Sequence, residues 1–169
     1  QEECYKANDD KRWLIALIAD TGMRLAEGAG LLKSDFIIKD GIHCVSIKPH
    51  SWRSLKAASS ERIIPLVGSA RWAAKQISAQ SGNNQFAFPI YNDGIRTNAN
   101  SASAALNKWL KIKIGRLYSI HSFRHSMRDR LRAVECPNDV VDQIGGWKTG
   151  GVGNNYGEGY PILLCKKWM

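Results

Sequence analysis

The first part of the chain has the apolar spacing of two helices. Over residues 9–20 the large apolar residues recur at helical intervals and share one face: Trp13, Leu14, Leu17 and Ile18. Gly22 interrupts this pattern, and a second helix is predicted over residues 24–32. The chain is therefore predicted to open with helical structure that is broken just before Arg24.

Strand signals follow these helices. Residues 36–39 and 42–47 are rich in isoleucine and flank Asp40-Gly41, a strong two-residue signal for a hairpin turn. The polar stretch 49–60 leads to a third predicted strand at 62–66, whose proline places it at the end or the edge of a sheet.

The second half of the chain returns to helical spacing. Four helices are predicted there: residues 70–79, 99–113, 121–134 and 138–144. Pro137 stops the third of them, and Asn138 is the predicted N-cap of the fourth, which Gly145-Gly146 ends. Residues 149–155 are glycine-rich and predicted to be flexible, and residues 160–169 form a short tail with an apolar patch.

Together these elements predict one α+β domain over residues 1–169, mostly helical, with a small three-stranded antiparallel sheet. The chain has 169 residues and 44% of them are hydrophobic, which suits a packed core and argues against disorder. Its longest wholly apolar run, residues 13–19, is much too short to span a bilayer. Because it opens with Gln1, we expect a C-terminal fragment of a longer protein.

The charge distribution adds a class of partner. The net charge is +9, which favours a polyanion. Residues 41–132 hold 15 basic and only 3 acidic side chains, whereas the segments on either side are slightly acidic. A solvated basic surface would explain the charge alone, but arginines also lie among the candidate site residues described below, which favours nucleic acid.

The cysteines indicate the compartment. The chain has four, far apart and without a Cys-x-x-Cys pair: Cys4, Cys44, Cys136 and Cys165. Neither a zinc knuckle nor a redox motif is indicated. Scattered cysteines without a signal peptide predict a reducing cytosol.

Two arginines and a histidine are candidates for holding a phosphate. Arg24 follows a glycine at a helix start, and Arg124 comes three residues after His121, on the same helical face. Guanidinium groups bind the nonbridging oxygens of a phosphodiester and neutralise charge that builds in its transition state. Glu27, three residues after Arg24, either orients a basic group of the site or forms an ordinary surface ion pair.

Phosphodiester cleavage also needs an acid for the departing sugar oxygen, and a lysine on a mobile turn suits this role. Lys56, in the polar stretch before the third strand, is favoured, and Lys48, nearer the end of the second strand, is the competitor. Either lysine could instead contact the phosphate backbone, which is the commoner role of a loop lysine.

Tyr156 is the candidate nucleophile. Its phenol has a reference pKa of about 10, so it needs a nearby base or cation, and His121 could serve. Tyr160, four residues on, is a rival. Trp147 offers an indole N–H to a phosphate, although tryptophans more often pack in the core.

The order of these residues resembles the catalytic domain of the tyrosine recombinases, the phage lambda integrase family. The matching stretches lie within roughly residues 9–160: Thr21-Gly22-Met23-Arg24-Leu25-Ala26-Glu27, Leu55-Lys56 through Pro65-Leu66, His121-Ser122-Phe123-Arg124-His125, and Gln143-Ile144-Gly145-Gly146-Trp147-Lys148 through Tyr156-Gly157. One departure is that the family's usual Leu-Gly-His is Gly-Gly-Trp in this chain.

The resemblance implies a role for each candidate. Arg24, Arg124 and Trp147 would hold the scissile phosphate. Lys56 would protonate the leaving 5′-oxygen, and His121 would move the proton of the nucleophile. Glu27 would support the site as a carboxylate. Tyr156 would form a 3′-phosphotyrosyl bond that conserves bond energy, so that no metal, ATP or other cofactor is required.

The implied function is site-specific recombination or integration of DNA, as in a phage or prophage integrase. Its partners would be double-stranded DNA attachment sites. Monomers that are free in solution would assemble on this DNA as a tetramer and exchange their C-terminal tails. DNA-bending accessory proteins would assist, no membrane would be involved, and the protein would act in the cytosol of a bacterial host. The family's N-terminal DNA-binding domain has no counterpart in this sequence. Two alternatives stay open: a type IB topoisomerase-like enzyme that relaxes one duplex, and a noncatalytic DNA-binding module.

Overall fold

The computed structural model describes residues 1–57, 60–147 and 159–169. In these ranges the helices are α1 (Glu2–Ala7), α2 (Asp10–Thr21), α3 (Leu25–Ala29), α4 (Gly68–Ala79), α5 (Ala99–Ile114), α6 (Ser122–Ala133), α7 (Asn138–Gly145) and α8 (Ile162–Trp168). The strands are β1 (Phe36–Lys39), β2 (Ile42–Ile47) and β3 (Arg62–Pro65). The predicted class, mostly helical with one three-stranded antiparallel sheet, is confirmed.

Helix α2 lies in the core, because residues 14–19 are all apolar and all buried. The side chain of Asp9 caps the helix by accepting a hydrogen bond from the backbone N–H of Arg12 at 3.0 Å. The helix packs mainly on α4 and also on α6. Gly22 ends it at φ 63°, and a Cβ there would lie only 3.0 Å from Met127 of α6. The turn into α3 therefore passes tightly against α6.

The sheet has the order β1-β2-β3. Strands β1 and β2 form the predicted hairpin, in which Asp40 and Gly41 both have positive φ, as a two-residue turn of this kind requires. Strand β3 pairs antiparallel with β2, with Ile47 opposite Arg62. It forms one edge of the sheet and ends at Pro65, as the proline predicted.

Tertiary contacts changed several predicted boundaries. The second helix was predicted to reach residue 32, but α3 ends at Ala29, because Leu32 leaves the helix to form an isolated antiparallel bridge with Phe86. Helix α4 begins at Gly68, two residues earlier than predicted. Helices α2 and α6 differ from their predictions by one residue at each end, and α5, α7 and β3 by one residue at one end. Helix α1 was not predicted.

The predicted N-cap of α7 was wrong. Pro137 occupies the cap position with extended backbone angles, and Asn138 is the first helical residue. Proline suits this boundary because its fixed φ is compatible with helix entry and it has no N–H to leave unpaired. The flexible segment predicted over residues 149–155 lies outside the described residues.

The predicted C-terminal tail contains helix α8, which lies against β3 of its own chain. Ile162 joins a small apolar cluster with Ile42 and Cys44, and Cys165 is fully buried. Within the described ranges no helix is both long and apolar enough to cross a membrane.

Candidate functional site

Glu27 is a buried carboxylate that organises two arginines. Arg24 Nη1 donates to Glu27 Oε1 at 2.7 Å, and Arg62 Nη2 donates to Glu27 Oε2 at 2.9 Å. The backbone N–H of Arg24 also donates to Oε2, at 2.9 Å. Burial by itself would raise the pKa of Glu27, but the charge and hydrogen bonds of Arg62, with those of Arg24, hold it below its ordinary range. Glu27 is therefore an ionised internal partner and not half of a surface pair.

Arg62 is a central residue of this network that the sequence pattern did not reveal. It lies on β3 with a side chain only 3% exposed. Its Nε donates to the carbonyl oxygen of Ile144 at 2.9 Å and its Nη1 to that of Ser60 at 2.6 Å. Arg62 thus ties β3 to α7 and, through Glu27, to α3. The available signal was a charged residue at the start of an otherwise apolar strand.

Arg124 lies in the first turn of α6 and is 4% exposed. Its Nη1 donates to the carbonyl oxygen of Gly22 and its Nη2 to that of Gly145, both at 2.6 Å. These bonds join the turn after α2 to the end of α7. Each terminal nitrogen carries a second N–H, so the guanidinium keeps donors for a further acceptor.

Cationic side chains from distant parts of the sequence share one electrostatic environment. Burial, and then the charges of Arg24 and Arg62, lower the pKa of Arg124 to about 10. Partial burial and neighbouring positive charges, those of Arg24 and Lys56 among them, lower the pKa of His121 at the start of α6. A positive group lowers the pKa of another base only when it lies near it. Arg124 also binds the carbonyl oxygen of Gly22, two residues before Arg24, and Arg24 and Arg62 share the Glu27 carboxylate, so the three arginines lie around one region that favours an anion.

Trp147 lies directly after α7 and covers this region from one side. Its ring centroid is 4.2 Å from the guanidinium carbon of Arg124 and 4.9 Å from that of Arg128. A Cβ on Gly145 would lie 1.7 Å from the Trp147 ring, and one on Gly146 would lie 2.8 Å from the Arg62 side chain. The two glycines thus give the tryptophan and the buried arginine their space.

The structure separates the two candidate lysines. Lys48 Nζ lies 3.4 Å from Oδ1 of the fully buried Asp35, so its charge is engaged in an ion pair. Lys56 is exposed, and its charge acts on His121. The two candidates thus differ in that Lys48 is paired with a buried carboxylate whereas Lys56 is exposed to solvent.

The candidate nucleophile, Tyr156, lies outside the described residues and stays a prediction. The rival Tyr160 is described, and its ring is partly exposed. Its backbone N–H donates to Gln143 Oε1 at 2.7 Å, and its carbonyl oxygen accepts from Gln143 Nε2 at 2.9 Å. These bonds anchor the chain on α7 four residues after Tyr156.

Comparison with known proteins identifies a family. The model of the phage integrase family matches residues 2–159, which is most of the chain. No curated protein sequence matches the chain.

Three solved structures with a similar fold are two recombinases and an integrase. The XerA recombinase has a TM-score of 0.58 at 16% identity, covering 87% of this chain and 51% of that one. The XerH site-specific recombinase, solved with its difH substrate before cleavage, has a TM-score of 0.53 at 20% identity, and the match covers 86% of this chain and 40% of that one. The Tn1549 transposon integrase, solved with transposon right-end DNA, has a TM-score of 0.55 at 16% identity, and the match covers 92% of this chain and 56% of that one. The chain thus spans about half the length of these proteins, and the likeness concerns the fold.

Proposed function

The chain belongs to the phage integrase family of tyrosine recombinases, and on that premise we propose that it cleaves and rejoins DNA at specific sites through a 3′-phosphotyrosyl link. The observation that carries this proposal is that Arg124, a hundred residues after Arg24 in sequence, binds the carbonyl oxygen of Gly22 two residues before Arg24. The charges of Arg24, Arg124 and Lys56 also act on His121, in the turn that begins α6. This set of groups suits a phosphodiester, because the guanidinium groups can bind its oxygens while the ammonium group and the imidazole base can transfer protons during its cleavage.

Binding of the phosphate falls to the two arginines. Arg24 is 26% exposed, and its Nη1 donates to Glu27 Oε1 and to Ser60 Oγ, so within the described residues the other nitrogens of its guanidinium are left for a ligand. Arg124 is fixed from behind by two backbone carbonyls and retains a second N–H on each terminal nitrogen. Because both side chains are held before substrate arrives, they need little reorganisation to stabilise the charge of the transition state.

The chemical step transfers a phosphoryl group between oxygens. The phenolic oxygen of Tyr156 attacks phosphorus as its proton passes to the imidazole of His121. The bond from phosphorus to the 5′-oxygen breaks, and that oxygen takes a proton from the Lys56 ammonium group. Partial burial and nearby positive charges lower the pKa of His121, which disfavours the protonated ring and leaves the imidazole available for the phenolic proton. The product remains a diester, so a 5′-hydroxyl can reverse the step and rejoin the strand.

A covalent-capture experiment tests this proposal. The intact protein is mixed with a pool of nicked duplexes whose sequence around the nick is randomised, so that a cleaved end diffuses away and the adduct accumulates. We expect an adduct that survives denaturation, and we expect Tyr156→Phe to abolish it while DNA binding is retained. Tyr160→Phe, a matched change four residues away, should leave the adduct unaffected.

Each other outcome has a distinct meaning. Absence of any adduct with the unmodified protein would favour the noncatalytic DNA-binding alternative. Loss of the adduct in Tyr160→Phe alone would show that the nucleophile was misassigned. Relaxation of supercoiled DNA without recombination of two recovered sites would favour the topoisomerase-like alternative.

A further inference from the structure

The connection from β2 to β3 contains a tight turn at residues 48–53 to which the proposed reaction assigns no role. His50 and Arg53 exchange backbone hydrogen bonds of 3.0 Å in both directions, which closes the turn around Ser51 and Trp52. Lys56 follows only three residues after Arg53. The placement of this turn therefore limits where the Lys56 ammonium group can lie.

Arg53 is buried and connects the turn to α3. It is 4% exposed, and its Nη1 donates to the carbonyl oxygen of Glu27 while its Nη2 donates to that of Lys48, both at 2.5 Å. Removing a guanidinium from water is costly unless it is paired. One rigid guanidinium group thus holds the backbone of α3 and the end of β2 at a fixed separation.

The neighbouring tryptophan strengthens this attachment. The indole N–H of Trp52 donates to the carbonyl oxygen of Gly30 at 3.1 Å. Its ring stacks on His50 with centroids 4.6 Å apart and meets the edge of Phe86 at 5.1 Å. A Cβ on Gly30 would lie 2.8 Å from Cδ of Arg53, so the turn approaches α3 as closely as a glycine allows.

Both ends of the segment that carries Lys56 are bound to the same residue. Arg53, before it, binds the Glu27 carbonyl oxygen, and Arg62, after it, binds the Glu27 carboxylate. Leu55 packs on the hydrophobic core between Arg53 and Lys56. Glu27 also holds Arg24. Glu27 therefore fixes the position of Arg24 relative to both ends of the segment that carries Lys56.

We propose that Arg53 is a positioning residue for the general acid: by fixing the 48–53 turn to Glu27, it places Lys56 where the leaving 5′-oxygen departs. This inference rests on the proposed function, in which Lys56 donates that proton. It assigns to Arg53 an effect on leaving-group protonation and not on binding or on attack by the tyrosine.

A substrate that needs no acid isolates this effect. The duplex recovered from the randomised pool is made with the ordinary 5′-oxygen, or with sulfur in its place at the scissile bond. A thiol has a pKa of about 8.5 and leaves as the thiolate without a proton donor. Arg53→Lys keeps the positive charge but cannot bridge two carbonyls in a fixed fork.

We expect Arg53→Lys to slow adduct formation about 100-fold on the oxygen substrate, as misplacement of a catalytic group does. On the sulfur substrate it should remain within about threefold of the unmodified protein, because no acid is required. Lys56→Ala should show the same pattern. Trp52→Phe loses the indole donor but keeps an aromatic ring, so it should slow the oxygen substrate less than Arg53→Lys does and should also be rescued by sulfur. This variant replaces Arg53→Lys in the test if Arg53→Lys does not fold.

The matched control is Arg12→Lys. Arg12 pairs with Asp9 and stacks 4.7 Å from the ring of Trp109, and neither partner belongs to the turn, so its replacement should leave both substrates unaffected. If Lys56→Ala is rescued by sulfur but Arg53→Lys is equally slow or equally fast on both substrates, the role of Arg53 is refuted. If Lys56→Ala is not rescued, the acid assignment itself fails, and the role of Arg53 fails with it.

Discussion

At the scale of single residues, the site depends on how one carboxylate is buried. Glu27 is 3% exposed and accepts hydrogen bonds from two guanidinium groups and a backbone N–H. A buried carboxylate is costly without such donors, and a buried Arg62 is equally costly without a carboxylate. The carboxylate that stabilises buried Arg62 is therefore also the group that positions Arg24.

Glu27→Gln should destabilise the protein by about 3 kcal/mol at neutral pH, because it leaves the buried Arg62 guanidinium without a countercharge. Chemical denaturation measures this loss. The pKa of Glu27 in the folded protein lies below its ordinary value of 4.5, so its contribution is complete above that pH and lost as pH falls through the lower, folded value. The difference between variant and unmodified protein should therefore shrink in acid.

The control for this prediction is Glu3→Gln, which removes an exposed ion pair with Lys113. Solvent and salt screen such pairs, so no measurable loss of stability is expected. Equal losses in the two variants would contradict the role of Glu27.

The pKa of His121 sets a second expectation at this scale. Because burial and nearby cations lower that pKa below 6.5, the histidine should stay an active base to below that pH. The rate of adduct formation should fall only where the ring becomes protonated. His125, whose ring lies 4.9 Å from that of His121, contributes one of the repelling charges. His125→Gln should therefore raise the pKa of His121 and move the acid limb of the pH–rate profile upward, and an unmoved limb would count against this electrostatic account.

At the scale of elements, the end of α7 shows how close packing builds a site. Gly146 ends the helix at φ 63°, which allows Trp147 to turn back over Gly145 and to face Arg124. The family's usual Leu-Gly-His motif has a leucine at the position that Gly145 occupies in this chain. The Gly-Gly-Trp of this chain exchanges that bulk for a larger aromatic ring.

Gly145→Ala should cost about 2 kcal/mol by forcing the Trp147 ring away. The same change in a Trp147→Ala background should cost far less, because the ring that it meets is gone. Thermal or denaturant unfolding of the four proteins measures the coupling. Gly41→Ala, at φ 72° and with open space around it, should cost the same in both backgrounds. Additive costs for Gly145 and Trp147 would show that they do not compete for space.

The elements also show where sequence reasoning succeeds. The β1–β2 hairpin was predicted to the residue, since an Asp-Gly turn between two short isoleucine-rich runs is a local signal. The end of α3 was missed, because the Leu32–Phe86 bridge joins residues more than fifty positions apart. The α7 cap was missed because two adjacent residues, Pro137 and Asn138, both suit a helix start.

At the scale of the whole molecule, the chain terminus closes over its own sheet. Helix α8 packs on β3, the strand that carries Arg62, and buries Ile162 and Cys165. The tail that the resemblance implies to be exchanged between protomers is thus docked within its own chain in this structure. The docked helix couples the end of the chain to the strand behind the site.

Ile162→Ala should destabilise the protein by about 3 kcal/mol through loss of buried contacts. It should also speed alkylation of Cys165, because a loosened α8 exposes the thiol. Leu163→Ala is the matched control, since Leu163 is 67% exposed and should change neither property. Unchanged Cys165 reactivity in a destabilised Ile162→Ala would show that α8 does not depend on this contact.

The sequence alone determined most local elements and proposed the residues of the candidate site, because helix periodicity, turn signals and motif spacing act over a few neighbouring positions. Only the tertiary structure decided that Glu27 is an internal hub, that Lys48 is engaged by Asp35, and that Arg62 reaches Ile144 across 82 residues of sequence. The physical reason is that burial and pairing of a charge depend on which distant backbone groups surround it. Those neighbours are set by the path of the whole chain, which no local pattern records.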